Sequence, residues 1–325
     1  MTVTGTLYAD REAYSPVYTH DVAYAQRKNG DLYLQILTPI PPNPSPTPRH
    51  YATDREVLKE DPKRRLFGGH APQMKPDRFP TIVDVPGSGW SGAEGYNHVP
   101  QMIELAKRGY VVACVGYRGT FKDDVQFPAA VQDVKEAVRF MRAHAEEFLV
   151  DVDRIALLGD SSGGNTVAMA AVTGDEEEFA IGENLDQTSA VKSCVVYYGP
   201  VDLVNLLSDR KAEGKHLRPG EDPWPFEGRE IFQDDFFSAA DPEALLRKAS
   251  PLYRIEPGKV YPPVLFLQGD DDPIIPTAQG LRFCEALRDA GGKAEFYKIL
   301  GGLHGTGCWT KEAMDLIAAF LKATL

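Results

Sequence analysis

Residues 153–172 read DRIALLGDSSGGNTVAMAAV. The first half, centred on Ile155 to Leu158, is an apolar strand-like run. The second half is built of small, helix-compatible residues. Between them, two serines stand between an aspartate and two glycines. Gly159-Asp160-Ser161-Ser162-Gly163 fits G-x-S-x-G with Ser161 at the centre. Centring the pattern on Ser162 would require glycine at Asp160, so that register fails. A strand that turns at once into a helix forces the central residue into strained backbone, and side chains two before and two after would collide. The turn lifts the serine oxygen clear of the sheet, at the positive end of the following helix. Ser162 would then offer its backbone N–H to an oxyanion. Gly/Ser-rich turns are common, and a bare G-x-S-x-G occurs by chance. The strand-turn-helix setting is what favours a nucleophile here.

Similar apolar runs recur on both sides of this stretch. TIVDVP (81–86), YVVACVGY (110–117), RIALLG (154–159), KSCVVYYG (192–199), PVLFLQG (263–269) and AEFYKIL (294–300) are short and rich in β-branched and aromatic residues. Helical patterns separate most of them. Val131, Val134, Val138, Met141 and Ala145 form one stripe. Leu281, Cys284 and Leu287 form a second, and Met314, Ile317 and Phe320 a third. Strands alternating with helices imply right-handed βαβ units and a parallel sheet. Upstream, VAYAQRKNGDLYLQIL (22–37) carries Asn29-Gly30 between alternating runs, the signature of a hairpin with a type I′ turn. The reading is therefore a mostly parallel eight-stranded α/β sheet, opened by an antiparallel hairpin, with helices on both faces. It forms one domain over residues 1–325.

Two segments break the rhythm. TPIPPNPSPTPRH (38–50) is proline-rich and reads as a stiff extended connection. With the polar residues that follow, 39–79 is an expected surface insertion, with one short helix near 54–59. The second segment, about 200–251, holds KHLRPGEDPWPFEGREIFQDDFF (215–237) between two sheet strands. It reads as a lid over the strand ends where ligands bind in open α/β sheets, rather than as a decorative loop.

The 325-residue composition is ordinary for a globular chain, with 43% hydrophobic and 25% charged residues. The net charge of −12 argues against a nucleic-acid or anionic-membrane partner, which would call for a basic patch. MTVTGTLYADREAY at the N-terminus has neither a basic nor an apolar signal region, and no run reaches the roughly 18 apolar residues of a membrane span. A cytoplasmic location is the expectation. Cys114, Cys194, Cys284 and Cys308 show no C-x-x-C spacing and are expected as buried thiols. No metal and no cofactor is implied. A homo-oligomer is left open.

A serine hydroxyl is a poor nucleophile until a base, usually histidine, takes its proton and a third group orients that base. Of the seven histidines, only His304, in GGLHGTG (301–307), follows the last apolar strand on a loop at the Ser161 edge. LFLQGDDDPIIP (265–276) places Asp270, Asp271 and Asp272 just past another strand. Three adjacent carboxylates repel one another unless solvated, and for two of them a solvated loop suffices. The order Ser, Asp, His is that of the α/β-hydrolase fold. Pro86-Gly87-Ser88-Gly89-Trp90 follows the first parallel strand, where a glycine-rich turn can aim N–H groups at the Ser161 oxygen. Trp90, Tyr96, His98, Trp224 and Phe226 are candidates for the substrate pocket.

FPAAVQDVKEAVRFMRAHAEEFLVDVDRIALLGDSSGG (127–164) and PPVLFLQGDDDPIIPTAQGLRFCEALRDAGGKAEFYKILGGLHG (262–305) resemble the carboxylesterase branch of the α/β-hydrolase superfamily, the hormone-sensitive-lipase-like and BD-FAE-like esterases. Matching segments cover most of residues 80–325. The resemblance implies Ser161 as nucleophile, His304 as base and Asp272, before the proline of G-x-x-D-P, as acid. The family's H-G-G-G or H-G-G-x-W motif falls on Pro86–Trp90, with Pro86 for His and Ser88 for Gly. Oxyanion donors would be the N–H groups of Ser88, Gly89 and Ser162. Such relatives hydrolyse acetyl, other short-acyl, feruloyl or carbohydrate esters, and some cleave formamides. The expected activity is thus a serine carboxylesterase acting on a small-molecule ester. A serine peptidase or amidase of the prolyl-oligopeptidase kind is the rival on the same fold, although no repeat array is present. A non-catalytic binding protein is a third reading, which the Ser/Asp/His set opposes.

Overall fold

The computed structural model describes residues 14–40 and 78–325. A nine-stranded sheet runs through it. The strands are β1 (Ser15–Arg27), β2 (Gly30–Ile40), β3 (Phe79–Val85), β4 (Ala93–Glu94), β5 (Val111–Tyr117), β6 (Val150–Asp160), β7 (Ser193–Tyr197), β8 (Val264–Gly269) and β9 (Ala294–Ile299). The spatial order is β1-β2-β5-β3-β6-β7-β8-β9, with two-residue β4 paired to β5. β1, β2 and β5 pair antiparallel; from β5 through β9 every pair on that path is parallel. The six apolar runs are six of these strands. β5 and β7 are buried at every residue, as expected where helices cover both faces of a parallel sheet.

Those helices sort by face. Helices α2 (Ala129–Ala143), α3 (Ser161–Thr173) and α7 (Thr277–Asp289) share one core with Val83, Val85, Ala113 and Val115. Helices α1 (Val99–Ala106) and α8 (Lys311–Thr324) share the other with Ile82, Val112 and Cys114. Adjacent strand residues thus feed opposite cores, as the pleat requires. Between β7 and β8 lies an insert with helices α4 (Leu206–Ala212), α5 (Glu227–Phe232) and α6 (Pro242–Lys248). It has a small core of its own, which includes Leu203, Leu206, Ile231, Phe236 and Leu246 and joins Trp90 and Ile275 from the main body. All four cysteines are buried thiols.

Four local expectations need correction. The hairpin forms, but Arg27 pairs with Gly30, so Lys28 and Asn29 make the turn. Only Gly30 there has positive φ, 129°, whereas a type I′ turn needs it at both central residues. Pro39 is not in an irregular connection; it lies in β2 opposite Pro16 of β1, past the residues that pair with β5, where no ladder bond is lost. Leu281 is 40% exposed; α7 turns Phe283, Cys284 and Leu287 inward instead. The sheet has nine strands rather than the expected eight, because the two-residue β4 left no sequence signal. The short helix expected near 54–59 lies outside the described residues.

Candidate active site

Ser161 begins α3 directly after β6, with φ of 51°. The flanking glycines are required by contact. A Cβ on Gly163 would meet the Val85 carbonyl oxygen at 2.1 Å, and one on Gly159 the Gly163 carbonyl oxygen at 2.7 Å. β3 and the start of α3 therefore close on each other, and the strained residue between the glycines is pushed out at the C-terminal edge of the sheet.

The loops after β8 and β9 bring two more side chains to that edge. His304 Nε2 lies 2.8 Å from Ser161 Oγ, and His304 Nδ1 lies 2.8 Å from Asp272 Oδ2. Asp272 is fully buried. Its Oδ1 accepts from the amides of Ile274 and Ile275 at 2.8 and 2.9 Å, and its Oδ2 also accepts from Gln268 Nε2 at 3.1 Å. A carboxylate held by four donors keeps one geometry. Asp270 instead accepts from the Gly301 amide at 2.7 Å, and Asp271 is exposed. The structure brings Ser161, His304 and Asp272 together and leaves the other two aspartates out.

The loop after β3 differs in detail from the expectation. The Gly87 amide donates to Asp160 Oδ1 at 2.5 Å, and the Ser88 amide donates to the Ser162 hydroxyl at 2.8 Å. The amide of Ser88 is thus engaged. Those of Gly89 and Ser162 have no acceptor among the described residues. Tyr117 anchors the loop from below: its hydroxyl donates to the Pro86 carbonyl at 2.6 Å and lies 3.0 Å from Ser88 Oγ.

A buried ionic cluster sits beneath the serine turn. His98 Nδ1 lies 3.1 Å from Asp84 Oδ2, and Nε2 lies 3.2 Å from Asp160 Oδ1. Asp160 Oδ2 accepts from the Tyr198 hydroxyl at 3.1 Å, which accepts in turn from Trp309 Nε1 at 3.1 Å. Burial alone would lower the His98 pKa, but Asp84, then Asp160, outweigh it and raise it to about 10. Burial likewise opposes ionisation of Asp160, yet His98, the Gly87 amide and Tyr198 hold its carboxyl below the usual range. Burial and Asp160 push the Tyr198 hydroxyl far up, so it stays a donor.

A cavity of about 330 Å³ opens in front of Ser161 and His304. Its floor is Gly87 to Trp90, and Tyr198, Ile274 and Ile275 contribute walls. The insert supplies Arg218, Glu227 and Glu230. Of the residues expected to line a pocket, Trp90 does so. His98 is 8% exposed and locked behind the serine turn. Tyr96 faces solvent at 55%. Trp224 packs edge-on to Phe236, and Phe226 lies under the Arg218 guanidinium, 5.0 Å from its ring centre. The charged wall was missed because a run such as FEGRE reads as a solvated face. What turns it inward is a long-range partner. Fully buried Arg210 binds Glu221 and Glu227, with Glu227 Oε1 at 2.6 Å, and donates through Nε to the Ile274 carbonyl at 2.8 Å.

A mostly parallel sheet in this strand order, with a serine on a strained strand-to-helix turn and a histidine and carboxylate on the last two loops, is an α/β-hydrolase fold. The BD-FAE family model matches residues 70–287. The chain belongs to that family. Among curated relatives, Esterase LipQ of Mycobacterium tuberculosis is 29% identical over 92% of this chain, and the isoprenylcysteine alpha-carbonyl methylesterase ICME of Arabidopsis thaliana 27% over 77%. The chain spans 65% and 56% of the length of these two relatives. Among solved structures, a truncated carbohydrate esterase from gut microbiota superposes with a TM-score of 0.71 at 23% identity, covering 97% of this chain and 98% of that one. Propionate-bound esterase 2 of Thermogutta terrifontis gives 0.65 at 22%, covering 93% of each. No helix among the described residues is long and apolar enough to cross a membrane.

Proposed function

We propose that the protein is a serine-dependent carboxylic ester hydrolase acting on short-acyl esters, with acetyl-like, feruloyl and carbohydrate esters as the candidate substrates. The observation that carries this is the unbroken chain from Asp272 through His304 to Ser161, at 2.8 Å for each link, facing the cavity. Ser161 Oγ attacks the ester carbonyl carbon while its proton passes to His304 Nε2. Negative charge develops on the carbonyl oxygen, where the amides of Gly89 and Ser162, which have no acceptor among the described residues, supply donors. Ser88 joins them only if the Ser162 hydroxyl releases its amide. The C–O bond to the alcohol breaks, and the alcohol leaves with the proton from His304. Water then attacks the acyl carbon and gives its proton to His304; the bond from Ser161 Oγ to the acyl carbon breaks, His304 returns the proton to Ser161, and the acid is released. Asp272 keeps the Nδ1 proton in place and stabilises the imidazolium.

The esterase names of the relatives support ester over amide cleavage. A cavity of about 330 Å³, at the lower end of ligand-site sizes, supports a short acyl group. The test is labelling with a fluorophosphonate, followed by hydrolysis of p-nitrophenyl acetate. The adduct should map to Ser161, and both labelling and turnover should vanish in Ser161→Ala. Preferential cleavage of an aminoacyl-anilide would favour the peptidase reading instead.

A further inference from the structure

The insert puts charge where an alkyl chain would need apolar wall. Glu230 Oε1 lies 3.6 Å from where a Cβ on Gly89 would sit, so its carboxylate leans on the oxyanion loop. Arg218 Nη1 donates to that oxygen at 3.1 Å. The second Glu230 oxygen accepts nothing among the described residues, and neither Nε nor Nη2 of Arg218 donates to anything there. Glu227, the third charged residue of the wall, is already held by Arg210. With respect to the described residues, the cavity therefore offers one unspent acceptor and several unspent donors, side by side. Thr120 holds this arrangement against the loop, since its hydroxyl reaches both the Trp90 and Glu230 carbonyls, at 3.0 and 2.7 Å.

The charges decide what fits. An anionic group would gain Arg218 and be repelled by Glu230 and Glu227. A cationic group would meet the reverse. An alkyl chain would strip water from both partners and replace it with nothing, which is the expensive way to bury polar groups. A neutral group with neighbouring hydroxyls satisfies both, because each hydroxyl donates and accepts. We infer that Arg218 and Glu230 form a specificity subsite for a neutral polyhydroxylated portion of the substrate, as in a partly acylated sugar. The inference rests on the ester-hydrolase reading above and names its substrate class. Burial first, and Glu227 second, push the Glu230 carboxyl up to about 7 against the pull of Arg218. A hydroxyl donating to it replaces solvation that the cavity removes.

Mono-O-acetyl glucose and cyclohexyl acetate present the same ring size with and without hydroxyls. Because the sugar is also the better leaving group, the readout is how each variant changes the ratio of their kcat/KM values. Glu230→Gln and Arg218→Gln should each lower the ratio by at least about tenfold, mainly through KM for the sugar ester, the scale expected when a polar site loses a hydrogen-bonding partner. Circular dichroism checks that each variant folds, and Arg218, whose side chain is 37% exposed, gives the milder change. Calorimetric titration of Ser161→Ala with mono-O-acetyl glucose reads the subsite without turnover. Adding Glu230→Gln to that protein should weaken Kd by a similar factor. Equal effects on both esters, or an unchanged Kd, overturn the subsite. A weakened Kd in a protein whose parent cleaves no ester leaves the subsite standing and removes the hydrolase reading.

Discussion

Replacing His98 with glutamine removes the cation that two carboxylates share. Asp84 is fully buried, and His98 Nδ1 is its hydrogen-bond donor, at 3.1–3.2 Å. Without it, Asp84 must either stay ionised with no counter-charge or take up a proton. Breaking a buried pair in this way costs about 3–5 kcal/mol. The pH dependence has a definite sign. His98 is raised from an unfolded value of about 6.5 to about 10. Its contribution is therefore complete below about 6.5 and is lost as pH climbs toward 10. In the variant, Asp84 relieves its own cost by protonating as pH falls. The gap between the two proteins should be widest near neutral pH and should narrow by pH 10, where the wild type surrenders the His98 proton. Groups that titrate alike in both proteins cancel in the difference. Urea unfolding followed by tryptophan fluorescence reads the gap directly, since Trp309 packs edge-on against His98 with ring centres 5.2 Å apart. A cost below about 1 kcal/mol, far under the buried-pair range, would refute the reasoning, as would a gap that stays constant from pH 7 to pH 10.

Ser161→Ala should remove turnover by several powers of ten. Ser162→Ala keeps the backbone amide and frees that of Ser88, so its kcat should change by less than about tenfold; equal losses would mean that the nucleophile has been misplaced. Asp272→Asn should lower kcat by a factor on the order of 10⁴, as in other triads, while Asp270→Asn and Asp271→Asn stay near wild type; the reverse pattern in a steady-state assay would move the acid. Along p-nitrophenyl acetate, butyrate, octanoate and decanoate, kcat/KM should fall steeply by decanoate. Each methylene that fits an apolar pocket is worth about 0.8 kcal/mol, so a steady rise along the series would point to an open lipid groove.

The sheet was legible because both of its faces are covered. Strands such as Val111–Tyr117 then read as unbroken apolar runs, and Gly/Pro clusters or helical stripes mark their ends. Where a choice of face rested on a few residues, the pattern misled: Leu281 fits the same helical period as Cys284 but points to water. Ser161 was legible for a steric reason, since only glycine fits at Gly159 and Gly163. His304 followed from chain order and loop position; these narrowed the acid only to Asp270, Asp271 and Asp272, and it was the family resemblance that pointed to Asp272. The pocket wall was not legible. His98 looked like a lining residue because it follows the oxyanion loop, but Asp84 and Asp160 draw it inward. The bulky Trp224 and Phe226 looked like walls, whereas the insert uses them as packing and turns Arg218 and Glu230 to the cavity. Which side of the insert faces in depends on Arg210, Glu221 and Glu227, and no local period encodes that.

Arg210 has a further consequence. Its guanidinium grips Glu221 and Glu227 of the insert, and its Nε holds the carbonyl of Ile274, whose own amide binds Asp272. The insert that lines the cavity and the loop that carries Asp272 are thus fastened by one side chain. Evolution or engineering cannot treat the insert as an independent cassette. A transplanted insert that lacks the arginine or its glutamates would alter the cavity wall and slacken the support of Asp272 together, so on the proposed reading selectivity and turnover would be coupled traits, exchanged as a set.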